Sequence, residues 1–501
     1  YNRNNTPSSA TPNQFLLANR LASEINSDLT TQNGQFEHDW SFRSTVTLDR
    51  SDIEFGEINN AYINNEFDAT IVETAFHDNQ TDAELMRDPR VRDALGRATY
   101  QGLVRYFNQV DSGATPVTMV PGVVTNVQAV SNASGQATVS WTPPIANAAT
   151  GDAATGYYIY GSTDGYGFDG GTFVAGGTTS SHTLTGLAPN IGPYYFRVVA
   201  ANAGGQSQTP ELVATVPSGS SERILIVNGF DRFERRLSPV EPYLSGTIQR
   251  VRPRLTNSRD YVVQNAAAVS AYDPGLRVDS TANENVISGV VDLNDYDAVL
   301  WITGEESSAD DTFNATEQSL TSSYLASGGK LFVSGSEIGW DLDNLANGAA
   351  FYNNRLRANY VADDANTYLA AGTSEGIFSG ISLGFDNGAQ FYDVTFPDVI
   401  SPTAGSISAM SYVGGAGGTA AVQFGSAAGE QVVMLGFPFE TITSESNRNL
   451  VMDRVLTFFD LSSSVAGDFD SNGTLDCADI LTLTNAVNAG SADPIYDLNG
   501  D

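Results

Sequence analysis

Close to the C-terminus, oxygen-bearing side chains recur at the spacing of a calcium loop. Asp468, Asp470, Asn472, Thr474, Asp476 and Asp479 occupy positions 1, 3, 5, 7, 9 and 12 of one stretch, with Gly473 at position 6. Calcium takes six to eight oxygens, and this spacing gathers them around one centre while the glycine permits the sharp turn. Thr474 would contribute its backbone carbonyl. A second loop begins at Asp497, with Asn499 and Asp501 at its positions 3 and 5. Near the other end, Glu73 interrupts the apolar run that starts at Ala69. A carboxylate just past the carboxyl end of a strand faces the crevice where open α/β sheets bind ligands, and is well placed as a general base. The competing reading is a rim Glu paired with an Arg. His77 and Asn79 follow closely enough to touch the same substrate; for His77 a plain surface-loop role is the alternative.

Elements must hold these groups. Phe15, Ala18, Ala22, Ile25 and Leu29 recur at helical steps of three and four. Ala69–Val72 reads as a strand. Thr81 with Glu84 has the form of a capping box. Asp88 before Pro89 is an N-cap followed by proline at the first helical position, and Val91, Leu95, Ala98, Gly102 and Tyr106 make one face of the helix beyond. Stretches rich in Pro, Gly and Ser at 110–122, 216–222 and 460–468 divide the chain. The expected units are 1–110, a linker 111–122, then 123–217, 223–460 and 467–501.

In 123–217, "QATVSWTPP", "GYYIYGSTDG" and "YYFRVVAANAGGQS" alternate with turn signals and predict a β-sandwich with Trp141, Tyr194, Phe196 and Val198 facing its core. In 223–460, "RILIVNGF", "DAVLWITG", "KLFVSG" and "QVVMLGF" are continuous apolar runs of the kind found in strands covered on both faces. Helical patterns alternate with them, including a cap at Asn314 with Glu317 and a last helix through Val451, Val455 and Phe458. A three-layer α/β domain with a mainly parallel sheet is expected.

The 501 residues carry a net charge of −34, and the one Lys is Lys330. Such acidity argues against nucleic-acid or anionic-membrane partners. It fits an exported protein or one from a salty habitat. A single Cys excludes an intrachain disulfide framework, and no apolar stretch is long enough for a transmembrane helix.

"ATIVETAFHDNQTDAELMRDPRVRDALGRATYQGLVRYF" resembles the C-terminal end of the zinc-dependent N-acetylmuramoyl-L-alanine amidases, through Val72, Glu73, Phe76, Asn79, Gly102, Tyr106 and Phe107. The similarity is specific over 69–107 and covers most of 1–108 in element order. It implies that Glu73 is the catalytic carboxylate acting on zinc-held water. It also implies that the zinc ligands, two His and a Glu, lie outside this chain, the last of them just before Tyr1. The histidines present, His38, His77 and His182, do not supply that set. Residues 123–217 resemble a fibronectin type III domain through Trp141, Leu187, Pro189 and Tyr194. "SGGKLFVSGSEIGW" resembles the class I glutamine amidotransferase-like domains, whose active members use Cys, His and Glu; residues 223–460 have neither Cys nor His, so that chemistry is excluded. Ser334 or Ser336 beside Glu337 could imitate a nucleophile elbow but has no base. The tail resembles a dockerin type I module, since position 12 is Asp479 and not Glu; this implies calcium and a possible cohesin-like partner. Cys477 sits on a non-ligand position.

The expectation is therefore a multidomain chain: an α/β amidase remnant, a β-sandwich, a non-catalytic α/β domain and a truncated EF-hand-like tail. It would be a fragment of a longer reading frame, from an extracellular, periplasmic or cell-wall peptidoglycan amidase of a bacterium. Without its zinc ligands it would be inactive alone. The alternative is a non-enzymatic extracellular adhesion or scaffold protein with a vestigial amidase-like region.

Overall fold

The computed structural model describes residues 1, 11–50, 55–59, 62–64, 66–132, 135–403, 405–462, 467, 469, 477–491 and 496. The N-terminal unit contains helices α1 (Gln14–Thr31), α2 (Gln80–Leu85) and α3 (Pro89–Val110). Asp88 caps α3 by accepting from Arg90 N at 2.9 Å, ahead of Pro89 in the first turn. Val91, Ala94, Ala98 and Tyr106 of α3 share a core with Leu17, Leu21, Ile25 and Leu29 of α1. Gly102 lets the two helices approach, because a Cβ there would lie 3.0 Å from Leu21 Cδ2. Three details differ from expectation. Phe15 is exposed, and the inward face of α1 runs through Leu17 and Leu21. Asn79 rather than Thr81 caps α2, its side chain accepting from Asp82 N at 3.1 Å. Ala69–Val72 is not a strand, and Ile71 and Val72 are exposed. A strand needs a neighbour to pair its N–H and C=O groups, and the described residues before 125 contain no other strand.

Residues 125–215 form the sandwich. One sheet has β1 (Thr125–Asn132), β2 (Gln136–Thr142) and β5 (Ser181–Thr185); the other has β3 (Gly156–Ser162), β4 (Thr172–Ala175), β6 (Tyr194–Asn202), β7 (Gly205–Gln206) and β8 (Val213–Thr215). Trp141 packs on Tyr157 with ring centres 5.0 Å apart, alongside Phe196 and Val198. Tyr194 packs at the edge of this core, and its hydroxyl accepts from Ala188 N at 3.0 Å, closing a tyrosine corner.

The next unit begins with β9 (Arg223–Asn228) and a separate hairpin, β10 (Val240–Tyr243) and β11 (Gly246–Gln249). Helix α4 (Val262–Tyr272), β12 (Arg277–Ala282), α5 (Asn283–Ile287), β13 (Ala298–Gly304), α6 (Ala315–Ala326) and β14 (Lys330–Gly335) follow. Then come α7 (Ala349–Asn354), β15 (Ala358–Ala362), β16 (Leu369–Gly372), β17 (Ser382–Gly384), β18 (Val399–Pro402), β19 (Ile407–Tyr412), β20 (Thr419–Gly425), β21 (Gln431–Leu435) and α8 (Glu445–Phe458). Strands β12-β9-β13-β14-β21 are parallel neighbours in that order. In chain order this is 2-1-3-4-5, a doubly wound topology; antiparallel strands from β20 onward extend it. Alternate residues enter two cores. Ile224, Ile226, Leu300 and Phe332 face one side with α4 and α8, while Leu225, Val227, Trp301 and Val333 face the other with α6. Asn314 and Glu317 form the expected capping box. Among the described residues, no helix is long and apolar enough to cross a membrane.

The two β units share one sheet. Strand β1 pairs antiparallel with β12, through Gln128 opposite Thr281 and Ala129 opposite Ser280. The stretch read as a linker at 216–222 is partly buried: Val216 N donates to Val278 O at 2.9 Å, and Ser218 donates to the carbonyl of Gly275.

Burial also predicts a pH dependence. Glu440 is fully buried, accepts from the Tyr392 hydroxyl at 2.6 Å and leaves Oε2 unpartnered. Burial pushes its carboxyl up to about 7. The folded state therefore holds a proton that the unfolded state releases near its ordinary value, and stability falls as pH rises from about 4.5 to about 7. Glu440→Gln, neutral at every pH, should match the wild type near pH 5 and exceed it by about 1–3 kcal/mol near pH 8. Urea unfolding at both pH values checks this; equal stabilities at the higher pH would refute it.

Candidate functional site

Glu73 sits in irregular chain rather than at a strand end, and it is exposed. It lines a small cavity of about 150 Å³ together with Tyr1, Trp40 and Arg43. The Tyr1 amino group donates to Leu48 O at 3.0 Å. Burial lowers that amine, and the charges of Asp49, Arg50 and Glu73 also act on it. His77 is exposed in the turn beyond. Asn79 is exposed too, and its side-chain oxygen is engaged in capping α2.

His38 lies elsewhere, with Nε2 2.6 Å from Glu84 Oε2, and Glu37 is close enough for the three to resemble a metal site. Glu37, however, takes both hydrogen bonds of the Arg235 guanidinium, at 2.6 and 2.8 Å, and Arg236 stands 3.6 Å away. Hydrogen bonding from Arg235 holds the Glu37 carboxyl below its ordinary value. This cluster is an ion-pair knot between the N-terminal unit and the α/β unit. His182 is on β5 of the sandwich. The described residues do not bring together two histidines and a glutamate, so they do not fit a zinc site of the expected kind.

In the tail, helix α9 (Cys477–Asn488) carries Asp479 in its first turn. Asp479 is buried, and its Oδ1 accepts from Phe469 N at 2.8 Å; Phe469 packs on Tyr496 at 5.2 Å. Asp468, Asp470, Asn472, Thr474 and Asp476 lie outside the described residues, as do Asp497, Asn499 and Asp501. Cys477 is exposed. Ile480, Leu481 and Val487 are exposed on α9.

The carboxyl edge of the parallel sheet holds a feature that the sequence reading missed. Strand β14 ends at Gly335, and Glu337 turns the chain with φ of 58°, a conformation uncommon outside glycine. Ser336 is buried against Gly304 O at 3.5 Å. Beside them, Asp231 follows β9, and Glu305, Glu306 and Asp310 follow β13. Glu306 is buried while Asp231 and Asp310 are exposed, and carboxylate oxygens of these three lie within 4.8 Å of one another. The available signal was "GEE" directly after the apolar run of β13. A cavity of about 590 Å³ lined by Asp231, Phe230, Glu211, Arg259 and Glu284 opens beside this edge and reaches Arg90 and Arg92 of α3.

Residues 122–216 match the family profile described as "Fibronectin type III domain", and this region is a fibronectin type III domain. Similar solved structures align over the same share of the chain. The FN5 domain of Drosophila Lar is 25% identical, with 20% of this chain and 100% of that chain covered and a TM-score of 0.16. The third fibronectin III domain of human KIAA0343 protein is 22% identical over 20% and 87%, with a TM-score of 0.17. A structure titled "Myokine structure" is 23% identical over 19% and 97%, also at 0.17. No curated protein sequence matches the chain.

Proposed function

We propose that the chain is part of an exported bacterial cell-wall hydrolase that cleaves the amide between N-acetylmuramic acid and L-alanine in peptidoglycan, with Glu73 as its carboxylate base. The observation supporting this is the cavity shared by Glu73 and Tyr1. Glu73 and Tyr1 line one cavity with Trp40 and Arg43, so the first residue of the chain stands next to the proposed base. The residues described here supply no zinc site, so the chain's own part is to place a base and shape the cavity wall with Trp40 and Arg43. In this reading the fibronectin type III domain is a spacer. The amidotransferase-like α/β domain, without His or Cys, is a wall-binding or structural module. The dockerin-like tail binds calcium and offers Ile480, Leu481 and Val487 to a cohesin-like partner.

Residues 1–501 alone should release no stem peptides from cell walls, with or without added zinc. Zinc-dependent release by this chain would refute the division of the site. A non-enzymatic adhesion or scaffold protein is the second reading, favoured by the exposure of Glu73 and, among the described residues, the absence of a strand before it.

A further inference from the structure

We propose that Asp231, Glu306 and Asp310 hold one hard divalent cation, of the magnesium and manganese class, at the carboxyl edge of the parallel sheet. The topology places them there. Strands β9 and β13 are neighbours, but the chain leaves them in opposite directions. After β9 it crosses through α4 to β12 on one side; after β13 it crosses through α6 to β14 on the other. Doubly wound sheets bind ligands in the crevice opened by that divergence. Asp231 stands just past the end of β9, and Glu306 and Asp310 just past the end of β13.

Glu306 supplies the second, independent observation. It is 1% exposed; Oε1 accepts from Arg232 N at 2.6 Å, and Oε2 is buried with no hydrogen-bond partner. A buried carboxylate without a partner is costly and must be neutralised by a proton or a cation. No arginine side chain donates to it. The Arg232 guanidinium is turned to Glu234 Oε1, at 2.6 and 3.0 Å, and to Glu305 O at 2.8 Å. The Glu37 cluster differs in this respect, because Arg235 neutralises it.

The donor set selects the ion. Three carboxylates with no nitrogen or sulfur favour magnesium, manganese or calcium over zinc or copper. Two of the three ligands face solvent, which leaves positions for the waters that magnesium retains. Oxygens held at about 2.1 Å from one ion are at most about 4.2 Å apart, so the cluster, already within 4.8 Å, closes with small side-chain shifts.

The test uses the full chain carrying Asp468→Ala, which removes the first ligand of the calcium loop proposed for the tail, titrated with Mn²⁺ and followed by loss of the free-ion EPR signal. Saturable binding is expected. Adding Glu306→Gln or Asp310→Asn should weaken it about tenfold or more and remove one bound equivalent. Mn²⁺ should raise the melting temperature of the parent and not of these variants. If Glu306→Gln does not fold, exposed Asp310→Asn decides. Mn²⁺ affinity and stoichiometry unchanged in Asp310→Asn, or no saturable binding at millimolar Mn²⁺, would overturn the proposal and leave protons alone as the neutralising species.

Discussion

Asp279→Ala is expected to destabilise the chain by about 2–4 kcal/mol, because it orphans a buried N–H and removes the carboxylate that neutralises a partly exposed arginine. Asp279 is fully buried on β12. Its Oδ1 accepts from Ser131 N of the fibronectin type III domain at 2.7 Å, and its Oδ2 accepts from Arg223 Nη2 of β9 at 3.0 Å. One carboxylate thus joins the edge of the sandwich to the parallel sheet. Removing it orphans the Ser131 N–H and leaves the partly exposed Arg223 guanidinium, which stacks on Tyr296 at 4.5 Å, with the Asp295 carbonyl at 3.2 Å in place of a paired carboxylate. Arg223→Ala in the same chain should cost less than additivity requires, because the double variant buries no lone charge. The junction at 216–222 should also become a protease target. Urea unfolding of the four chains of the cycle checks this. A loss below about 1 kcal/mol for Asp279→Ala, the level of an exposed pair, would show that this carboxylate does not hold the two units together and that the backbone and side-chain bonds around β1, Val216 and Ser218 do.

Glu73→Gln is the second. In a longer chain that also supplies the two His and the Glu of the zinc site that the resemblance implies, it should lower amide hydrolysis by about 10²–10⁴-fold, the usual contribution of a positioned base. Gln keeps the size and an oxygen but cannot accept the proton from water. Glu73 is exposed, so the substitution should leave the melting temperature and zinc content unchanged. Loss of zinc along with activity would mean that Glu73 is a ligand. Unchanged activity would mean that the base is elsewhere.

Local signals carried much of this architecture. Asp88 before Pro89, and Asn314 with Glu317, mark helix starts because a cap needs only neighbouring residues. The apolar runs of β9, β13, β14 and β21 announce strands covered on both faces, and Trp141 and Tyr194 mark the sandwich. What depends on distant partners was not legible. Ala69–Val72 has strand composition, but a strand is made by its neighbours and none is described there. Residues 216–222 have linker composition, yet β12 claims Val216. Asp279 and Ser131 meet across 148 positions, and no pattern along the chain foretells that pair. Asp231 and Glu306 converge for the same reason: only the strand order places the ends of β9 and β13 side by side.

The claim that this chain belongs to a peptidoglycan amidase is tested most directly by mass spectrometry of the soluble products from purified cell walls. The walls are treated with zinc and a longer chain that supplies the two His and the Glu the resemblance implies. The account predicts stem peptides with a free L-alanine amino terminus, absent when a chelator is added and strongly reduced by Glu73→Gln. A folded chain that binds the walls and releases no such peptides would contradict it, and would establish the adhesion reading in its place.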